Sequence, residues 1–382
     1  MTRRNLYVLF FTMFLFVFGF GLYDDLFPIH ARNLGATPVQ LGFLFTVRQL
    51  TITAGSILGG ILSDRYSRRA VMFPSWYLAA PAPLLFFAAP SWGWLLPGIF
   101  LYDITIFGLP ALNAYVAERT DPERIASTFA TLTAASSSAL LISPALGGLI
   151  AARWGIRATF LLAFVCYTLS TLLVYRTEPE RAGVRRILPW RQALRFWELG
   201  RLWRLLIMLG LMTGVPLALA PFVSPFLREV RGLGLAQIGA LGSILSGGGL
   251  LFTLVAGRAA DRWGHRPLLV LTMLFIAAGT LIVALGPLYL LPIAFLIRSR
   301  SAVTSLSQAV VGSRIAPDAA GRAFGLYGML AGLVGAAGTL LAGVAYRANP
   351  ALPLVAGAGV VTALAVVLLV QKEAAVQPAA VE

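Results

Sequence analysis

Long apolar runs separated by short polar breaks dominate this chain. Twelve runs stand out, at 6–29, 39–62, 70–89, 93–117, 125–151, 157–176, 203–227, 236–257, 267–287, 288–312, 323–346 and 350–371. Each is close to, or longer than, the ~20 residues that a helix needs to cross ~30 Å of hydrocarbon. The pattern predicts an all-α integral membrane protein with twelve transmembrane helices. The first run follows Thr2-Arg3-Arg4-Asn5 and begins at Leu6. Its charge pattern suits a secretory leader, but its length is that of a full span. No small-residue cleavage site precedes the second run, so the first is read as a retained helix. The one long polar stretch, Thr177 to Gly200, carries Pro179, Gly183 and Pro189 and splits the spans six and six. The predicted organisation is a bundle at 1–176, a central loop at 177–200 and a second bundle at 201–382.

Composition removes most other classes. Of 382 residues 58% are hydrophobic and 12% charged, against roughly half and a quarter in soluble domains. The net charge of +15 invites a nucleic-acid reading until it is placed along the chain. With the N-terminus cytoplasmic, 21 basic residues fall on the cytoplasmic side, 6 on the other and 3 inside spans. That is the positive-inside bias, which predicts a multi-pass protein of the inner (plasma) membrane with both termini in the cytoplasm and no nucleic-acid partner. Cys166 is the only cysteine, which excludes an internal disulfide or a thiolate metal site. His30 and His265 sit far apart at loop edges without a second ligand, so neither a metal nor a cofactor is expected. With no His or Cys cluster a membrane-embedded enzyme is not expected, and no phosphate-cradling Gly-x-x-x-x-Gly-Lys-Ser/Thr loop supplies an ATP motor.

The two halves repeat one plan. Gln40-Leu41-Gly42 recurs as Gln237-Ile238-Gly239, and Gly60, Asp64, Arg65 and Arg69 recur as Gly257, Asp261, Arg262 and Arg266. Leu95-Leu96-Pro97 in the fourth span recurs as Leu290-Leu291-Pro292 in the tenth. In that register Asp103 falls on Arg298, Asn113 on Gln308 and Arg119 on Arg314. Copies with an even number of spans insert the same way up, as parallel repeats, and such repeats hold substrate between them near the midplane.

The loop after span two reads Gly60-Ile61-Leu62-Ser63-Asp64-Arg65-Tyr66-Ser67-Arg68-Arg69, and that after span eight Gly257-Arg258-Ala259-Ala260-Asp261-Arg262-Trp263-Gly264-His265-Arg266. Both resemble the signature loop of the Major Facilitator Superfamily, and with twelve runs and a basic central loop the resemblance covers nearly the whole chain. It implies two pseudo-symmetric six-helix bundles and a secondary transporter. It further implies that Asp64, Arg65, Arg68 and Arg69, and the second copy, act as a cytoplasmic latch for the outward-open state. Four residues apart, Gly60 and Asp64 share a helix face, where glycine would admit another helix and the acid would meet its end. Ser67 stands where the family usually has glycine, so a different turn is expected there. Ser143-Pro144-Ala145-Leu146-Gly147-Gly148 partly resembles the family's antiporter motif, with Ser143 and Ala139 at glycine positions. The fourth span carries Asp103 in place of the arginine typical of drug–proton antiporters.

Ionisable residues within spans cost about 2.5–3.5 kcal/mol on insertion scales and are functional candidates by default. They are Arg48, Asp103, Arg298 and Arg300, with Asp24 and Asp25 near the outer end of span one. Asp103 and Arg298 occupy equivalent positions and are candidates to face each other across the pathway, each followed by a polar stripe ending at Asn113 or Gln308. Arg300 lies about 200° around the helix from Arg298, which assigns Arg298 to the cavity and Arg300 to its wall or a neighbouring helix. One of Asp24 and Asp25 is a candidate partner for Arg48 or a proton carrier; structural ion pairs holding helices together are the plainer alternative. The phenylalanines at 10, 11, 14, 16, 18 and 20 circle their helix and read as lipid-facing or core. The expected function is alternating-access secondary transport, proton-coupled efflux of small organic or amphipathic compounds, by a monomer in a lipid bilayer. Proton-coupled organic-anion transport, suited to the arginines, and uncoupled facilitation are the alternatives.

Overall fold

A computed structural model describes residues 1–178, 202–314 and 320–370. Most of the central loop and Lys372 therefore lie outside the described residues. So do the side chains of Asp64, Asp261, Arg314 and Arg322.

Every regular element among the described residues is helical. The first half runs α1 (Arg3–Gly21), α2 (Phe27–Asn33), α3 (Pro38–Arg65), α4 (Arg68–Ala79), α5 (Ala82–Ala88), α6 (Leu95–Ile104), α7 (Gly108–Arg119), α8 (Ile125–Trp154) and α9 (Ile156–Val174). The second runs α10 (Leu202–Glu229), α11 (Leu235–Trp263), α12 (His265–Leu285), α13 (Leu291–Ile297), α14 (Ser301–Arg314), α15 (Ala320–Ala348) and α16 (Leu352–Val370). Eleven stretches among these are long and apolar enough to cross a membrane. The predicted span at 288–312 is not one of them, because its helix is interrupted between Ile297 and Ser301.

Local chemistry sets the element ends. Thr37 and Gln40 form a reciprocal capping box at the start of α3, satisfying two otherwise orphaned backbone donors. Ser67 caps α4 by accepting from Ala70 N at 3.1 Å, with φ −60°. In the repeat, Gly264 precedes α12 with φ +83°, a conformation that favours glycine. The two loop copies thus turn differently, as the serine predicts.

The described residues form two compact units. One holds residues 1–178 with 224–243; the other holds 202–223, 244–314 and 320–370. In the first, Leu9, Met72, Trp76, Leu112, Tyr115 and Val174 form a buried core. In the second, Leu206, Met273, Ile276, Val311, Leu326 and Val361 do so.

Both pseudo-equivalent helices break beside their charge. In the first half α6 ends at Ile104, a 3-10 turn covers Thr105–Phe107, and α7 resumes at Gly108. Pro110 has no N–H for the carbonyl four residues back, which removes one helical hydrogen bond there. In the second half α13 gives way at Arg298 and α14 resumes at Ser301. Each break rests on a glycine-bearing helix. A Cβ at Gly55 of α3 would lie 2.6 Å from Ile104 O, and one at Gly59 2.6 Å from Phe107 O. A Cβ at Gly249 of α11 would lie 2.7 Å from Ser299 Oγ.

Candidate translocation and coupling site

Arg48 sits two turns before Gly55 on α3, so the face seated on the break also carries the arginine. Its Nη1 lies 2.8 Å from Asp24 Oδ1, in the turn after α1, and its Nε 3.4 Å from Asp103 Oδ1, at the end of α6. The side chains of Arg48, Asp24 and Asp103 are 17%, 34% and 4% exposed. The guanidinium carbon also lies 5.5 Å from the ring centroids of both Phe20 and Phe45. The planar fork of arginine serves two acids at its edges while its faces meet aromatic rings. One base between two carboxylates leaves one negative charge in excess when both acids are ionised.

This geometry selects among the expectations. Asp24 is the residue of its pair that meets Arg48. Asp25 lies against α11 instead, where a Cβ at Gly242 would stand 3.0 Å from its Cγ. Asp103, expected opposite Arg298, has its ion-pair partner on its own half, because Arg48 of α3 reaches it first along the seated face.

An aromatic wall flanks Arg48 and Asp103. Tyr102 stacks with Phe20 at 5.9 Å and 5°, with Phe16 at 6.1 Å and 14°, and with Tyr167 at 5.6 Å and 15°. The hydroxyls of Tyr23 and Tyr167 share a hydrogen bond of 3.1 Å. Tyr23, Phe27, Arg48, Phe86, Tyr102 and Asp103 line a pocket with about 10 Å³ of room for a water-sized sphere. That is about the threshold for one water molecule. Of the two expected settings, lipid or core, Phe16 and Phe20 take the core one, stacked on Tyr102 beside the pocket. Their spacing to Asp24, four residues each time, is the sequence signal that marks them, since it places all three on one helix face.

In the second unit Arg298 is half-buried and packs against α12, where a Cβ at Gly279 would lie 2.8 Å from its own Cβ. Its guanidinium carbon lies 4.8 Å from the centroid of Phe295. Arg300 is exposed, as are Ser301, Ser305 and Gln308 on α14 and Asn113 on α7. The helix break replaces the continuous 100° step assumed from sequence. It leaves Arg298 leaning on a neighbouring helix and Arg300 as the exposed member of the pair.

The glycines of the loop motif do not pack as their shared helix face with the aspartates suggests. A Cβ added at Gly60 or Gly257 would meet nothing within 4 Å, so neither glycine admits a neighbour here. Close approach falls one residue earlier on α3, at Gly59, on the face turned to the Thr105–Phe107 break. Arg65 and Arg262 are exposed. Arg68 reaches Glu118 of α7 through Nε at 3.0 Å and Nη2 at 2.9 Å, and also donates to Ser63 O. Arg69 donates to Tyr175 O at 3.3 Å, at the end of α9. Its repeat partner Arg266 donates to Leu368 O at 2.9 and 2.6 Å, at the end of α16. Each copy thus supplies an arginine to the unpaired carbonyls of the last helix in its own half, where a cation also suits the helix dipole.

The antiporter-like segment of α8 lies in a close-packed seam within the first unit. A Cβ at Gly147 would lie 2.7 Å from Leu22 C, and one at Gly148 2.9 Å from Gly239 Cα. Ala145 N donates to Ser243 Oγ at 3.0 Å. Beyond the seam Arg32 pairs with Glu229, Nε to Oε1 at 2.7 Å. His30 is buried, with Nε2 3.3 Å from Phe86 O, and its ring packs on Phe160.

The sequence profile of the Major Facilitator Superfamily matches residues 9–339 and 218–379. An uncharacterized MFS-type transporter of Methanocaldococcus jannaschii, MJ1560, is 25% identical over 48% of this chain and 50% of its own length. The alignment thus spans half of that relative. The multidrug resistance protein MdtG of Salmonella arizonae is 26% identical over 71% of this chain and 70% of its own. Among solved structures, the nucleoside transporter NupG superposes with a TM-score of 0.79 at 13% identity, covering 96% of this chain and 98% of that one. The human organic anion transporter MFSD10 gives 0.68 at 19% identity, covering 96% and 99%. At these identities the structural likeness speaks for the fold.

Proposed function

Because the chain belongs to the Major Facilitator Superfamily, and is a membrane transporter of small molecules rather than an enzyme, we propose that it is a proton-coupled secondary transporter in which Asp103, Arg48 and Asp24 form the coupling site. It has twelve spans in two six-helix halves, 1–176 and 201–382, joined by the loop 177–200. It works as a monomer in the inner membrane with both termini cytoplasmic, exposing one central site alternately to either side. Supporting the reading is one guanidinium held between two carboxylates, beside a pocket lined by Arg48 and Asp103 with room for about one water.

Because the acids outnumber the base, one carboxylate can take a proton while Arg48 keeps an ionised partner. Protonating Asp103 leaves Arg48 to Asp24 alone and relaxes the hold of α3 on the end of α6. Losing that proton restores the bridge. Proton occupancy thus biases the seat of the helix break, and helix breaks at membrane depth are where transporters of this architecture hold ions and substrates. The substrate class favoured is small organic or amphipathic compounds moved outward. The multidrug relative and the aromatic wall of Phe16, Phe20, Tyr102 and Tyr167 support this choice. In the same scheme Asp64, Arg65, Arg68 and Arg69 with Gly60, and Asp261, Arg262 and Arg266 with Gly257, act as the cytoplasmic latch. Arg68 tied to Glu118 gives that latch a fixed point.

The test is proton movement in liposomes carrying purified protein, across a substrate panel. Substrate-dependent proton movement should appear in wild type and be lost in Asp103→Asn. Coupling that survives in both Asp103→Asn and Asp24→Asn sinks the assignment, and transport without proton movement indicates a facilitator. A second reading, organic-anion transport, is favoured by the exposed Arg300 at the break in the tenth helix. It requires Arg300→Ala or Arg298→Ala to slow an anionic substrate selectively.

A further inference from the structure

We propose that the groove between the start of α1 and the end of α9 holds one anionic phospholipid of the adjacent leaflet. The groove has a volume of about 690 Å³ and is lined by Arg4, Tyr7, Phe11, Leu15 and Leu173 among others. Its α1 residues recur every three or four positions and so form one stripe along the helix. From Arg4 to Leu15 the stripe runs about 16 Å at 1.5 Å per residue, close to half of a ~30 Å hydrocarbon core. One acyl chain of one leaflet therefore fits its length.

Chemistry is graded along the stripe as a lipid requires. Arg4 is the charged residue of the lining and stands at its mouth, while Tyr7, 64% exposed, and Phe11, 52% exposed, continue it into the apolar zone. Arg3 and Arg176 are also exposed at this end. Hydrogen bonds place the two helix ends together: Glu178 N donates to Asn5 Oδ1 at 3.3 Å, and Thr2 donates to the Glu178 carboxylate. Arg119 also bonds that carboxylate, which offsets the acid nearest in sequence to Arg176. Three exposed arginines then face the headgroup level, where guanidinium binds phosphate through two parallel hydrogen bonds. The apolar floor selects a lipid over a soluble anion, and the arginines select an anionic headgroup over a zwitterionic one.

Native mass spectrometry of the purified full chain, titrated with phosphatidylglycerol or phosphatidylcholine, tests the site. Each arginine near an anionic headgroup is worth about fivefold in affinity. Wild type should retain phosphatidylglycerol at least about fivefold better than phosphatidylcholine. Arg4→Ala and Arg176→Ala should each lower that preference by about fivefold and leave phosphatidylcholine retention unchanged. Arg153→Ala, at the opposite end of its helix, is the charge-matched control and should change neither. Equal retention of the two lipids by wild type overturns the site, as does a loss in Arg153→Ala equal to that in Arg4→Ala. Displacement of bound lipid by inorganic phosphate would make this a soluble-anion site and refute the lipid assignment.

Discussion

Removing Arg48 should destabilise the protein more than removing Asp103, and Asp103→Asn should change sign when Arg48 is absent. With an effective dielectric near 20, separations of 2.8 and 3.4 Å correspond to gross attractions of about 6 and 5 kcal/mol. Desolvation of three charges offsets most of this. Breaking a buried pair by deleting one partner is nonetheless expected to cost about 3–5 kcal/mol, because a charge stays behind uncompensated. Arg48→Met strands Asp103, only 4% exposed, beside Asp24 at 34%, so about 4 kcal/mol is expected. Asp103→Asn leaves Arg48 paired with Asp24 and keeps an oxygen acceptor, for a loss of about 2 kcal/mol. In the Arg48→Met background the same substitution removes a stranded carboxylate and should stabilise by at least about 1 kcal/mol. Cys166 provides the assay. It is the only cysteine, 6% exposed, and an added Cβ at Gly19 of α1 would lie 3.1 Å from its Cβ. A thiol-reactive fluorophore therefore labels it only as the helices around the site open. The 2 kcal/mol gap corresponds to roughly thirtyfold faster labelling of Arg48→Met than of Asp103→Asn. If Asp103→Asn speeds labelling equally in both backgrounds, the two residues are not energetically coupled and the triad is a crowding of charges without a shared function.

Two further outcomes follow from geometry. Gly148→Ala should lose about 1–3 kcal/mol, because the new methyl overlaps Gly239 backbone that cannot give way. Gly60→Ala should gain up to about 1 kcal/mol from helix propensity, since its Cβ meets open space; thermal melts of the two variants that move the same way contradict the packing described. Arg69→Ala and Arg266→Ala should each cost about 1–2 kcal/mol of stability and lower the melting temperature by similar amounts, through the carbonyls they leave unserved. A large loss in one half and none in the other would show that the paired arginines do different jobs.

Much of this architecture was legible in the amino-acid order, and the failures share one cause. Hydropathy runs mark where helices lie because lipid demands continuous apolar length, and eleven of the twelve runs appear as such stretches. The duplicated loops were readable because charges at fixed spacing survive in one dimension. The pairing of Arg48 with Asp24 was within reach because both are charges inside apolar runs, where an ion without a counter-ion is costly. Reading a helix as an unbroken 3.6-residue repeat, however, carries the phase straight through any interruption. At Thr105–Phe107 and at Arg298–Arg300 the phase is reset. The separation of about 200° between Arg298 and Arg300 accordingly does not carry across the break, and Gly55 and Gly59, rather than Gly60, are the positions of close approach. The grouping of 224–243 with the first unit had no sequence signal either, since Gly148–Gly239 contact depends on two helices crossing rather than on either one alone.

The breaks carry a further consequence for function. Both halves build the same device, a helix interrupted at one level and seated on glycines of the helix two spans earlier in order. What differs is the side chain at its lip, an acid in one copy and an arginine in the other. A shared scaffold with opposite charges lets one half exchange protons while the other keeps a fixed positive charge, because arginine stays protonated across the physiological range. In the proposed coupling scheme proton sensitivity therefore falls on Asp103 and the acid that shares its arginine. Introducing a carboxylate at the other lip, as Arg298→Asp, should not transplant coupling in a liposome proton-movement assay, because the register position of Arg48, 197 residues on, is Leu245. On the proposed coupling scheme, the pairing partner, more than the break, would distinguish the first half from the second.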